Sequence, residues 1–287
     1  MRAPAKINLT LEILARREDG YHALRSVMVP IALADELAFA PSAQFAFSCV
    51  PATLGDDNLV VRAFAQSGLA ATPVAVALTK SVPVGAGLGG GSSDAAAVLR
   101  AAMAGAFGEP PARDWIADAR ALGSDVPFFL AEGPALVEGT GERVTALGAA
   151  PPWWLVLAVP PVHVATGPAF ARLAEARAAQ SPPTRPRSES ATIRCGEALQ
   201  RADYGAVLAT MMNDFEPVVR AAYPQVDAVL GALSDAGAPR PMLSGSGGAC
   251  YTLFADAAAA RDFAARFRAP AGTRVEVVPF EHGDAWR

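Results

Sequence analysis

The sequence predicts an α+β protein built as two domains. Three observations point there. Period-two and helical hydrophobic patterns are mixed through both halves of the chain, which suits neither a pure bundle nor a pure sheet. At 287 residues the chain is longer than one ordinary core needs. A Pro-Pro-Trp-Trp run starting at Pro151 separates the two mixed blocks, so the expected domains are 1–150 and 151–287. With 52% hydrophobic and 18% charged residues, the composition favours burial and argues against disorder.

In the first block, Ile7, Leu9, Leu11 and Ile13 alternate with Lys6, Asn8, Thr10 and Glu12. That is a strand with one buried face, and it puts Lys6 and Asn8 together on the other. REDG, ending at Gly20, is a turn signal, and Tyr21 and His22 open a strand that continues to Leu33. ELAFA from Glu36 and FAFSC from Phe45 read as two further short strands. Residues 58–67 read as a helix stopped by Gly68. VAVALTK, 74–80, is a strand that runs into VGAGLGGGSSDAAAV. The next helix is expected from Ser92 to Gly105, with a serine as N-cap and Asp94 in its first turn. A helix from Asp114 closes at Gly123, and strands at Ala135 and Arg143 pair around Gly139, Thr140 and Gly141.

The second block starts with a buried strand, WLVLAV, at Trp154. PPVHVATGPAF, 160–170, receives no element, and the Pro-rich, charged stretch 180–191 reads as an exposed loop. Helices are expected at 193–210, 214–222 and 225–236, followed by a second glycine loop at 244–248. A strand at 249–254, a helix at 256–267 and a strand at 274–278 complete the chain.

Charge and cysteines narrow the class. A net charge of −4 offers no general attraction to nucleic acid or a membrane surface, so an anionic ligand must be held by a local device. Cys49, Cys195 and Cys250 are odd in number and scattered, which is neither a disulfide framework nor a zinc signature and suits a reducing compartment. No signal-type run and no stretch of about 18 apolar residues interrupts this picture, so a soluble, cytoplasmic protein is expected.

The local device is the stretch from 84 to 98, where Gly85, Gly87, Gly89, Gly90 and Gly91 fall within seven positions. No lysine follows in the Walker manner, and the G-x-G-x-x-G match of Gly85 to Gly90 is weak alone. A strand, a glycine loop, two serines and a helix start together make a nest of free N–H groups at a positive dipole end, which is a phosphate site. The Ser92 and Ser93 hydroxyls can join it. A tight strand-to-helix turn would need fewer glycines. Ser244, Gly245, Ser246, Gly247 and Gly248 form a second glycine nest that again exceeds the needs of a turn. Asp125 follows a helix end, where a carboxylate is poorly placed for stability; it reads either as a reacting base or as the N-cap of a short helix at VPFFL.

Three stretches in order, APAKINL from Ala3, PVGAGLGGGSSDAA from Pro83 and MLSGSGGAC from Met242, resemble the signatures of the GHMP kinases. The resemblance covers residues 3 to 254 with a poor match over 170–205. It implies a fold with an N-terminal domain like that of ribosomal protein S5 and a C-terminal α+β domain. It further implies ATP with Mg²⁺ as the phosphoryl donor. The phosphates would lie on Pro83, Gly85, Gly87, Leu88, Gly89, Gly90, Gly91, Ser92 and Ser93, with Ser244, Gly245, Ser246 and Gly247 closing over them. Asp125 would accept the proton of the reacting hydroxyl, and Lys6 would offset its charge and polarise the hydroxyl or γ-phosphate. DGYH from Asp19, GSDVPF from Gly123 and NDFE from Asn213 are similar to the branch that phosphorylates the 2-hydroxyl of a CDP-linked methylerythritol. That implies Tyr21 stacked on cytosine and His22 bonded to it. Asn8, on the strand face of Lys6, is a candidate hydrogen-bond partner of the substrate, and the stretch 160–170 offers Phe170 or His163 as candidates for a second aromatic wall and Thr166 as a polar contact there. No metal ligand is singled out, and a monomer or weak dimer with only small-molecule partners is expected. Gly248 stands where the family pattern more often has proline or alanine.

Overall fold

The computed structural model describes residues 1–16, 22–51, 58–69, 72–110, 112–178 and 190–281. The expected turn at 17–20, Tyr21 and nearly all of the expected loop at 180–191 lie outside them. In chain order, the first half contains β1 (Arg2–Arg16), β2 (His22–Pro41), β3 (Ala46–Val50), α1 (Leu59–Gln66), β4 (Val74–Thr79), α2 (Gly90–Met103), α3 (Trp115–Leu122), a single 3-10 turn (Pro127–Leu130), β5 (Ala135–Gly139) and β6 (Arg143–Ala146). The second half contains β7 (Trp154–Val159), α4 (Thr166–Ala178), α5 (Ala191–Gln200), α6 (Tyr204–Thr210), the two-residue β8 (Met212–Asn213), α7 (Glu216–Ala222), α8 (Pro224–Asp235), the two-residue β9 (Met242–Leu243), β10 (Cys250–Phe254), α9 (Ala257–Arg266) and β11 (Arg274–Pro279).

The first sheet is organised by β2. Its 20 residues pair antiparallel with β1, take β5 along Leu24–Met28 and take β4 along Glu36–Pro41. The two separate strands expected at 22–33 and 36–40 are therefore one. Asp35 between them makes no turn, since its carboxylate is held by Lys80 and the N–H groups of Ser81 and Val82, and the ladder there is interrupted only by a register shift opposite Pro4 and Ala5. The second sheet runs β11-β7-β10-β9 and is antiparallel throughout.

Alternation along the strands distributes three apolar cores. Leu155 and Leu157 of β7 pack into the core between the two sheets, while Val156 and Ala158 pack into the core under α4, α7, α8 and α9. Both faces of β7 are covered, which is why it reads as a continuous apolar run. Ile7 and Leu9 of β1 also enter the core between the sheets, and the alanine-rich α2 lies in a third core with α1 and α3. Polar residues of β1 are enclosed too: Lys6 and Asn8 are 3% and 1% exposed. An ordinary solvent-facing lysine is thereby ruled out at position 6.

Four further expectations need correction. Helix α2 starts at Gly90, two residues before Ser92, with Gly89 at its N-cap in the left-handed region and no side-chain cap. The serines thus lie inside the first turn. The helix expected over 193–210 breaks after Gln200, where Ala202 takes a φ of +52° and the Asp203 carboxylate accepts the N–H of Ala206 to start α6. Helix α4 was not read because Gly167 and Pro168 look like loop residues, although Pro in a first turn gives up no hydrogen bond. Asp125 caps nothing: the residue before the 3-10 turn is Val126, with no side-chain cap bond. Among the described residues no helix is long and apolar enough to cross a membrane.

Candidate active site

Where β1 meets the two glycine loops and the starts of α2 and α4, a cavity of about 450 Å³ opens, with the size of a small-molecule site. Its floor is the loop from Pro83 to Gly89 and the start of α2. Within that loop Ala86 and Leu88 point into the core as buried pegs. Gly87 between them has a φ of +82°, and a Cβ there would fall 2.2 Å from the carbonyl oxygen of Ser244. Only glycine fits. Gly247 meets the same junction from the other side: its Cβ would fall 2.2 Å from Gly87 N. The two glycine loops are therefore interlocked, backbone against backbone. The Ala249 N–H donates to Ala86 O at 2.9 Å, and the Ser244 hydroxyl donates to Gly87 O at 3.1 Å.

Asn213, at the end of β8, holds the second loop from behind. Its side-chain amide donates to Leu243 O at 2.9 Å and Gly245 O at 2.8 Å, while its oxygen accepts the N–H of Phe215 at 2.9 Å. NDFE belonged to the sequence resemblance, but nothing in one sequence showed that Asn213 would carry the loop.

Lys6 and Asp125 meet in the cavity, Nζ to Oδ2 at 3.5 Å, with the lysine enclosed and the carboxylate 28% exposed. The ammonium also donates to Asn8 Oδ1 at 2.7 Å and to Gly87 O at 3.0 Å, so its position is set by β1 and by the phosphate loop together. Asn8 is oriented in turn, because its amide donates to Ser26 Oγ at 2.8 Å and that hydroxyl donates to Thr10 O at 2.6 Å. Tyr251 of β10 donates its hydroxyl to Asn8 O at 2.7 Å, tying the second sheet to the same point. Asn8 lines the cavity but is engaged at both ends of its amide, so it orients Lys6 first of all.

Of the residues expected at the site, Lys6, Asn8, Pro83, Gly85, Gly87, Leu88, Gly89, Gly90, Gly91, Ser92, Asp125, Thr166, Gly245 and Ser246 line this one cavity. Thr166 Oγ1 and Ser246 Oγ are 3.0 Å apart, joining the start of α4 to the second glycine loop. Ser93 departs from expectation: because α2 starts early, its side chain turns into the interior, where its hydroxyl is buried without a partner. Ser244 and Gly247 shape the loop from behind and are not part of the lining.

At the other end, Leu11, Ile13, Leu24, Phe170 and Phe215 make an apolar wall. The His22 ring stacks on Phe170 with centroids 5.6 Å apart, and its Nδ1 is buried without a hydrogen-bond partner. His163 is not beside them. It lies against the phosphate loop, where a Cβ on Gly85 would fall 1.9 Å from its Nδ1, so Phe170 is the aromatic neighbour of His22.

Sequence reading did not find the charged part of the wall. Lys80, at the end of β4, donates to Asp35 Oδ2 and to Asp94 Oδ2, the latter at 2.7 Å. Burial opposes the Lys80 charge, but the two carboxylates outweigh it and hold the ammonium above its ordinary value. Burial pushes the Asp94 carboxyl up to about 7, against the pull of Lys80. Asn58 and Leu59 also belong to the lining, Leu59 beside Gly91.

Residues 58–133 match the family model for the GHMP kinases N terminal domain, and residues 197–271 match that for the GHMP kinases C terminal region. The 4-diphosphocytidyl-2-C-methyl-D-erythritol kinase of Moorella thermoacetica is 39% identical over 272 residues, covering 93% of both chains. That of Deinococcus radiodurans is 41% identical over 270 residues, covering 92% of this chain and 86% of its own. A crystal structure of 4-(cytidine 5'-diphospho)-2C-methyl-D-erythritol kinase superposes with a TM-score of 0.77 at 35% identity, covering 99% of this chain and all 100% of that one. A homoserine kinase from Cytophaga hutchinsonii, at 19% identity and a TM-score of 0.68 over 98% of this chain and 94% of its own, shares the fold.

Proposed function

Because the chain belongs to the GHMP kinase family, and within it to the 4-diphosphocytidyl-2-C-methyl-D-erythritol kinases, we propose that its cavity transfers the γ-phosphoryl group of ATP to the 2-hydroxyl of that CDP-linked polyol. This is a step of the non-mevalonate route to isoprenoid precursors. The observation that carries the reading is the Lys6–Asp125 pair, 3.5 Å apart, in the same cavity as two interlocked glycine loops.

ATP phosphates lie on the N–H groups of Gly85 to Ser92 at the start of α2, whose dipole favours their charge. Gly245 and Ser246 border them from the second loop. The substrate enters from the side of Phe170, with its cytosine beside His22, whose buried Nδ1 lacks a partner that a base edge would supply. Phe170, stacked on His22, serves as one aromatic wall; Tyr21 is proposed as the other. Thr166 contacts the polyol. Asp125 takes the proton of the 2-hydroxyl as its oxygen attacks phosphorus, and Lys6 stabilises the charge that develops on the transferring group.

Mg²⁺ is the usual companion of ATP, and it typically keeps several waters and phosphate oxygens as ligands. Among the described residues no three His, Cys, Asp or Glu gather into a metal site. One oxygen of Asp94 is paired with Lys80, and Glu132 lies out in solvent 3.8 Å from Arg100. Among the described residues the acidic side chains therefore gather into no dedicated magnesium site, and an ion would arrive on the nucleotide. We also divide the chain at 150/151, in support of which every strand of the first sheet except the two-residue β8 precedes Pro151 and every strand of the second follows it. A cytoplasmic location agrees with Cys49, Cys195 and Cys250 all being unpaired.

A coupled ADP-release assay with CDP-methylerythritol, homoserine, mevalonate and a no-acceptor control tests the proposal. ADP formed with CDP-methylerythritol alone is the expected result. ADP formed only with another alcohol would remove the substrate assignment.

A further inference from the structure

Two buried carboxylates lie beside the proposed phosphate loop, Asp94 in the lining of the cavity and Asp35 behind it. Asp35 and Asp94 are 0% and 1% exposed, and the ammonium of Lys80 serves both. Asp35 is fully engaged: Oδ2 meets Lys80, and Oδ1 accepts the N–H groups of Ser81 at 2.6 Å and Val82 at 2.8 Å. The same carboxylate lies directly beneath the start of α2, since a Cβ on Gly90 would fall 3.2 Å from its Oδ2. Asp94 differs. One oxygen meets Lys80, and the other, Oδ1, is buried without a partner in a residue that lines the cavity.

The charge count is the difficulty. Two carboxylates against one ammonium leave a net negative charge away from water, which is costly to maintain. Phosphates arriving on the adjoining loop would add like charge, and like charge favours the protonated form of a carboxyl group. The titratable groups around Asp94 among the described residues are Lys80 after β4, Asp35 on β2 and the Cys49 thiol on β3. Toward α1 the neighbours in the cavity wall are the uncharged Asn58 and Leu59. Among the described residues no second cation acts on Asp94 to balance the count. Burial has already brought the Asp94 carboxyl to about 7, where one added negative neighbour changes its state near neutral pH.

We propose that Asp94 is a nucleotide-binding residue in its protonated form, and that it takes up a proton from solvent when the phosphates settle on the 85–92 loop. The proton goes to the unpartnered Oδ1, the cluster becomes neutral, and Lys80 stays paired with Asp35. Coupling is reciprocal, so nucleotide affinity falls as pH rises through the titration range of the free enzyme. The proposal rests on the phosphates lying at that loop.

Isothermal titration of the full chain with ADP and excess Mg²⁺ tests it, in pairs of buffers of different ionisation enthalpy between pH 5.5 and 9. At pH 7.5 the wild type is expected to take up about half a proton more than Asp94→Asn, given a shift of roughly one unit or more on binding. The ligand's own ionisation is common to both and cancels. Asp35→Asn leaves Lys80 and Asp94 as a balanced pair and should lose the excess uptake too. This second variant, and the wild-type maximum between pH 7 and 8, decide the matter if Asp94→Asn folds poorly. Binding with equal proton counts in wild type and variants would overturn the proposal while leaving the nucleotide site in place. Absence of any ADP binding would overturn both.

Discussion

The ammonium of Lys6 has three donors, and Asn8 Oδ1, Gly87 O and Asp125 Oδ2 lie around it at 2.7, 3.0 and 3.5 Å. Such a residue works by being fixed, since charge stabilisation in phosphoryl transfer depends on donors already in place. Replacing Asp125 by Asn keeps the shape and removes the proton acceptor. We expect kcat to fall by about 10²- to 10⁴-fold with KM for ATP within a few-fold, measured by steady-state ADP release. A near wild-type kcat would remove Asp125 from the role of base. Asn213 acts at one remove, through the carbonyls of Leu243 and Gly245. Asn213→Ala leaves both without their donor and should cost about 2–4 kcal/mol in denaturant unfolding, with KM for ATP raised as the second loop loosens. An unchanged KM would mean that this loop does not border the nucleotide. Lys6 and Asp125 were legible at this scale because a family resemblance singled them out, although as isolated residues they carry ordinary readings. Lys80, Asp35 and Asp94 were not, because 14 to 59 residues separate them in sequence and only the fold makes them one group.

At the level of elements, the glycine spacing of the phosphate loop has a packing cause. Ala86 and Leu88 anchor the loop in the core, which turns the intervening Gly87 against the second loop with positive φ. Gly87→Ala should therefore be severe, costing more than about 2 kcal/mol through strain and overlap, with ATP binding lost in proportion. Thermal unfolding and a nucleotide titration read the two effects, and wild-type values for both would show that the loops do not interlock. Most elements were legible from periodicity and stop signals: α1 between Asn58 and Ser67, α3 between Asp114 and Gly123, and the pair β5 and β6 all lie where the pattern puts them. What was not legible had long-range causes. β2 stays one strand because three neighbours hold it, and α4 forms against α7 and the apolar core beneath them despite Gly167 and Pro168. The start of α2 differs from the expected one because an N-cap serine is the usual signal, whereas here Gly89 stands at the cap in the left-handed region and no side chain caps the first turn.

For the molecule as a whole, one core runs between the two sheets, and Tyr251 bonds to Asn8 O across it. Tyr251→Phe should cost about 1 kcal/mol in unfolding free energy, and no loss at all would discount this tie. The pH dependence of stability has a definite sign from Asp94. Its carboxyl titrates near 4 in an unfolded chain and at about 7 in the fold, so between those values the folded state binds the extra proton. Stability therefore falls as pH rises from 4 to 7, and the penalty is fully present above 7. Thermal midpoints should decline from pH 5 to 7.5 in the wild type and decline less in Asp94→Asn; parallel curves would deny the buried charge. The central claim concerns which bond the assembled site makes. Asp125, the 85–92 loop and Phe170 line one cavity, and the proposed function has that cavity present a single hydroxyl of the substrate to the γ-phosphorus. Phosphorus NMR of the product, formed from ATP and CDP-methylerythritol labelled with ¹³C at position 2, tests this most directly. The account predicts a new phosphomonoester signal that is coupled to that carbon, shows no splitting by a carbinol hydrogen because C2 bears none, and grows in step with ADP; a signal split by a neighbouring C–H, as on another hydroxyl, or inorganic phosphate alone, would contradict it.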